Sequence, residues 1–113
     1  MMESCEEQQY ILCPKFEKTF EILGKKWNGL IIDVLIDEGP QRFVELANKI
    51  PDVSDRVLVE RLKELEEKDI LERKVLCDEK NRIEYTLTKK GLELKPVMDE
   101  IQSWGEKWVE VLN

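Results

Sequence analysis

Cys13 is the residue in this sequence best placed to do chemistry. It stands directly before Pro14, ahead of Phe16, Phe20 and Leu23 at helical spacings of four and three. Proline costs little at the first helical position, because its missing N–H would be unpaired there anyway. Cys13 therefore falls at or beside the N-cap of a first helix that Gly24 ends. The positive end of a helix dipole favours thiolate, the form that reacts with electrophiles and oxidants. Lys15 and Lys18 lie close in sequence and could add to the effect. The competing reading is an inert small side chain at a helix start, and the residues alone leave both open.

Other common chemistries are missing. The chain has no histidine, its three cysteines (Cys5, Cys13 and Cys77) contain no C-x-x-C, and no glycine-rich phosphate loop is present. The usual zinc clusters, histidine general bases and Ser-His or Cys-His dyads are excluded, and an odd cysteine count rules out a fully paired framework within one chain. We expect no metal, no cofactor and no enzyme. The first twelve residues hold three glutamates and no basic residue, unlike the start of a secretory signal. No apolar run is long enough to span a bilayer, so a cytoplasmic protein without a membrane partner is expected.

A second set of chemically capable residues lies further on. From Ser54 a helical pattern turns Leu58, Leu62 and Leu65 to one side and Arg56, Glu60 and Lys63 to the other, with Val59 at the edge. Arginine and lysine in such a row suit phosphates and guanine edges, and a valine suits a thymine methyl. The net charge of −7 opposes nucleic-acid binding, but residues 54–91 hold ten basic and ten acidic side chains, so the excess lies elsewhere.

The elements that must carry these residues follow closely, with no linker or repeat, in one domain of 113 residues. Residues 1–12 read as a polar tail and 13–113 as the domain. A second helix places Trp27, Leu30, Ile31, Val34 and Leu35 on one face and stops at Gly39-Pro40. A third has Phe43, Leu46, Ala47 and Ile50 in a stripe before Pro51, and the turn Asp52-Val53 leads to Ser54, a good N-cap for the fourth. Two short helices joined by so small a turn form a helix-turn-helix. Residues 70–76 and the alternating Ile83, Tyr85 and Leu87 read as two strands around the polar turn 78–81, which makes a wing. Thr88 caps a final helix, with Pro96 kinking it or marking its true start. The fold class is α+β and mostly helical: a winged helix-turn-helix with N- and C-terminal dimerisation helices. Met98, Ile101, Trp104 and Trp108 form an apolar face that a core of this size cannot easily cover, and with Phe16 and Phe20 they are expected to meet a second copy. Packing back on the same domain is the alternative. Trp27 and Phe43 are read as core.

Cys13-Pro14, Leu23-Gly24-Lys25-Lys26-Trp27, Gly39-Pro40-Gln41-Arg42-Phe43, Leu58 to Glu66, Tyr85-Thr86-Leu87-Thr88 and Gly91, in that order and spacing, resemble the HxlR family of winged-helix regulators from Cys13 to about Trp108. Within it the chain looks closest to thiol-based sensors of quinones, other electrophiles and oxidants, which carry a cysteine before the proline that opens the first helix. The resemblance implies a homodimeric regulator, often a repressor, on an inverted-repeat operator in double-stranded DNA, with Cys13 as the redox-sensing thiol. Some relatives pair it with a cysteine near the end of the last helix, but residues 92–113 contain none. Cys5 and Cys77 remain possible partners, while alkylation or a mixed disulfide with a small thiol needs no second cysteine.

In a helix-turn-helix the second helix enters the major groove, so the expected DNA contacts are Ser54, Arg56, Val59, Glu60 and Lys63. Ser54 can act as cap alone, and Glu60 can accept from cytosine or pair with Lys63 or Lys68. Arg42 is expected to clamp the backbone, with an ion pair as the competing explanation. Lys80, Asn81 and Arg82 on the wing are placed to reach a minor groove or phosphates. A winged helix used only for protein contacts is the alternative function.

Overall fold

The computed structural model describes residues 10–77 and 82–111. The expected contacts at Lys80 and Asn81, the pairing role of Cys5 and most of the N-terminal tail lie outside them.

Helix α1 spans Pro14–Leu23, with Cys13 as N-cap, Pro14 at its start and Gly24 as C-cap. No residue of α1 is buried. Helix α2, Asn28–Glu38, is the central element and buries Ile31, Ile32 and Leu35. The expected stripe is corrected in two places. Leu30 is 52 % exposed, because the α2 face that meets the core is centred on Ile31 and Ile32. Trp27 precedes the helix rather than joining its stripe, and takes φ 82°, a region bulky side chains rarely adopt. Its ring is half-buried against the core, with the Lys26 ammonium 4.8 Å from the ring centroid.

Helices α3 (Phe43–Lys49) and α4 (Asp55–Glu67) form the helix-turn-helix. Leu46 and Ile50 anchor α3 in the core, with Phe43 and Ala47 half-buried beside them. The turn runs through Asp52 at φ 74°, a conformation that aspartate tolerates better than most residues. Ser54 caps α4, its hydroxyl accepting from the Val57 N–H at 3.2 Å. Leu58, Leu62 and Leu65 are all essentially fully buried.

The wing is an antiparallel pair, β1 (Leu71–Val75) and β2 (Ile83–Leu87), in register from Leu71 opposite Leu87 to Val75 opposite Ile83. Burial falls along it. Leu71 and Leu87 are buried at the base, whereas Val75 and Ile83 are 57 % and 37 % exposed toward the tip. Alternation identified the strands, yet burial is complete only at their base, with Tyr85 half-buried against the core at mid-strand. A third segment joins the sheet: Gln41 and Tyr85 exchange both backbone hydrogen bonds, at 3.0 and 2.8 Å. Gln41 is buried, and its side-chain oxygen accepts from Lys49 at 2.7 Å. That bridge ties the start of the helix-turn-helix to the wing.

The final helix is broken in two. Thr88 caps only α5, Lys89–Leu92, through the Gly91 N–H at 3.1 Å. Helix α6, Lys95–Trp108, begins separately with Pro96 in its first turn, so proline marks a start rather than a kink. Helix α6 packs on α2, with Met98 half-buried against the core, but contains no fully buried residue. Among the described residues no helix is long and apolar enough to cross a membrane.

Candidate nucleic-acid interface and thiol site

Helix α4 separates its two faces cleanly. Opposite the buried leucines, Arg56, Glu60 and Lys63 are exposed, and Val59 is 41 % exposed at their edge. No ion pair holds Arg56, Glu60 or Lys63 among the described residues, so of the two roles open to Glu60 the pairing with Lys63 or Lys68 is not formed. These side chains are available to a ligand without first breaking an internal contact. Ser54 is exposed at the helix start, and its hydroxyl is already engaged as the cap.

The inner shoulder of α4 is tied to the protein. Arg61 is half-buried, donating to the Lys26 carbonyl at 3.2 Å and to Glu64 at 3.3 Å. Glu64 also pairs with Lys25 at 2.6 Å, and the Lys25 ammonium is the main reason its carboxyl is held below the usual glutamate range. Glu64 therefore does not stand among the outward side chains; it locks α4 to the α1–α2 loop. Sequence periodicity could place Glu64 near the helix flank but had no way to find Lys25, thirty-nine residues earlier.

Arg42 is the N-cap of α3. Its backbone N–H donates to Glu45 at 2.8 Å, half of a capping box, and that bond leads the causes that lower the Glu45 carboxyl. The Arg42 guanidinium sits 3.7 Å from the same carboxylate, too far for a good hydrogen bond. The ion pair weighed from sequence is present, but it is loose and solvent-exposed. Arg82 is exposed on the wing where β2 begins, its carbonyl accepting from the Leu76 N–H. Arg73 and Lys74 of β1 are also exposed; sequence reasoning passed over them because a strand read only for its apolar alternation gives no weight to the side chains between.

Cys13 is a free, exposed thiol at the start of α1, and its carbonyl accepts the first helical bond from Glu17 at 3.0 Å. Its side chain makes no cap hydrogen bond. Cys77, also free and exposed, lies beyond the end of β1. Along α1, Phe16 and Phe20 stack edge to face with centroids 5.0 Å apart, yet are 58 % and 54 % exposed. On α6, Ile101, Trp104 and Trp108 are 53–63 % exposed, whereas Met98 is half-buried within its own protomer. Among the described residues no cluster of metal-ligating side chains occurs.

Comparison with known proteins fits this geometry. The "HTH-type transcriptional regulator YodB" of Bacillus subtilis (strain 168) is 50 % identical over 99 residues, 88 % of each chain. The crystal structure of quinone-bound YodB from B. subtilis superposes with a TM-score of 0.74 at 50 % identity, covering 86 % of this chain and all of that one. The redox regulator HypR in its oxidised form gives a TM-score of 0.80 at 35 % identity, covering 88 % of this chain and all of that one. Residues 22–113 match the HxlR-like helix-turn-helix family. This chain is a member of that family, a winged-helix transcriptional regulator and not an enzyme.

Proposed function

We propose that the protein is a homodimeric repressor that binds an inverted-repeat operator in the cytoplasm and releases it when Cys13 is oxidised or alkylated. The observation that carries the DNA reading is the outward face of α4, where Arg56 and Lys63 are exposed, and unpaired among the described residues, opposite a fully buried leucine face. Arg56 reads a guanine edge or holds a phosphate, Lys63 holds a phosphate, Val59 meets a thymine methyl, and Glu60 accepts from cytosine. Ser54 presents the α4 N-terminus to the backbone. Arg42 and the wing residues Lys80, Asn81 and Arg82 add backbone or minor-groove contacts. Phe16, Phe20, Met98, Ile101, Trp104 and Trp108 join the two copies.

The input rests on the exposed thiol of Cys13 and on the 50 % identity to a protein solved with quinone bound. A quinone ring carbon accepts the thiolate directly, so no second cysteine is required. A group added beside the dimer seam can rotate the subunits, and recognition helices that must sit roughly 34 Å apart then lose register.

A gel-shift titration against the gene's own upstream DNA tests the output: salt-dependent binding to an inverted repeat is expected, and affinity no better than for random duplex would sink it. Treatment with benzoquinone, with DNA release followed beside intact mass, tests the input. Release that persists unchanged in Cys13→Ser removes Cys13 as the switch.

A further inference from the structure

Gly105 stands within α6, where glycine populates the helix roughly fivefold less readily than alanine. Nothing among the described residues accounts for it. Its φ is not positive, so any residue could adopt its backbone, and a Cβ built there meets no atom of the described residues within 4 Å. Gly91 is the contrast, since a Cβ at that position would run into the Ile70 carbonyl. Gly105 lies one turn beyond Ile101 and one turn before Trp108, both more than half exposed. With Gln102, Glu106, Val109 and Val111 it forms a shallow, open surface.

We infer that the α6 helices of two copies of this chain cross at Gly105, the missing side chain admitting the partner helix and letting Trp104 and Trp108 close over its backbone. The inference rests on the dimer reading above and names its contact point. Area supports a second copy as the occupant. Phe16, Phe20, Trp104 and Trp108 are each 54–63 % exposed, which for aromatic side chains leaves about 500 Å² uncovered. A standard interface needs about 800 Å² from each partner, and Ile101, Val97 and Val109, all 43–54 % exposed, supply much of the remainder. Helix axes usually stand about 8–10 Å apart, set by the side chains at the contact, and a glycine at the crossing sets the low end.

Opposite signs make this testable. Gly105→Ala should favour the helix in the protomer while weakening the dimer, and Gly105→Leu should leave monomer. Sedimentation equilibrium of the wild-type chain, both variants and the opposite-face control Ser103→Ala reads the association constant, with circular dichroism confirming retained helix. The expected result is at least a tenfold weaker dimer for Gly105→Ala, monomer for Gly105→Leu and no change for Ser103→Ala. Both Gly105 variants associating within twofold of wild type would overturn the crossing while leaving the dimer intact. Wild-type protein that stays monomeric at tens of micromolar would overturn the dimer itself.

Discussion

Replacing Gly91 with alanine presses on the joint where α4, the wing and the last helices meet. The added Cβ would sit 2.2 Å from the Ile70 carbonyl oxygen and 2.9 Å from Leu87 Cδ2. Ordinary contact requires a retreat of about 1 Å, and the nearer obstacle is backbone, which cannot rotate away. The Ile70 carbonyl accepts from the Thr88 N–H at 3.0 Å, while the Thr88 hydroxyl gives its one proton to the neighbouring Asp69 carbonyl at 2.5 Å. A shift of that size breaks the Thr88 N–H bond, at about 0.5–1.5 kcal/mol, and overpacking the Leu87 side adds about 1–3 kcal/mol. We expect a loss of about 2–4 kcal/mol in total, a large part of the stability of a domain this size. Urea unfolding followed by far-ultraviolet circular dichroism measures it, with wild type and variant at one protein concentration because association contributes. The midpoint should fall with an unchanged slope. A loss below about 0.5 kcal/mol would mean that the backbone yields freely at Ile70, and the reasoning from the close approach would be wrong.

Other expectations follow from single contacts. Ser54→Ala removes the cap of α4 and should cost about 1 kcal/mol in urea unfolding, whereas Ser54→Asp should retain most of it; equal losses for the two would deny the capping role. Arg56→Ala should weaken the specific DNA complex by about 1–3 kcal/mol, and Lys63→Ala should weaken specific and random duplex alike while lowering the salt slope by about one; fluorescence anisotropy across salt concentrations separates them. Glu64 has its carboxyl lowered by Lys25, so its contribution is present above the unfolded value and lost as pH falls through the lower folded one. Stability of the wild-type protein should therefore decline below about pH 4.3 more steeply than that of Glu64→Gln. Superimposable acid limbs would show that the Lys25 pair does not matter to folding.

The helices, the wing and the order in which they come were legible because each rests on a local rule. Helical spacing placed Leu58, Leu62 and Leu65 inward, Ser54 and Pro14 marked helix starts, and strict alternation marked Ile83–Leu87. The outward position of Arg56 and Lys63 and the place of Cys13 at a helix start follow from the same rules, since a period and a cap fix direction without knowledge of the rest of the chain. Other features depend on residues distant in sequence. Only the folded chain shows Glu64 drawn to Lys25, Gln41 joined to Tyr85, and the Ile70 carbonyl pressed against Gly91. The same holds for Thr88, whose capping bond serves a four-residue helix that ends at Leu92, before α6 begins at Lys95. Periodicity also overreached at Leu30, which shares a stripe with core residues but faces away from the packed side of α2. A one-dimensional pattern gives the angle of a side chain around its own helix; which angle is buried depends on where the neighbouring elements stand.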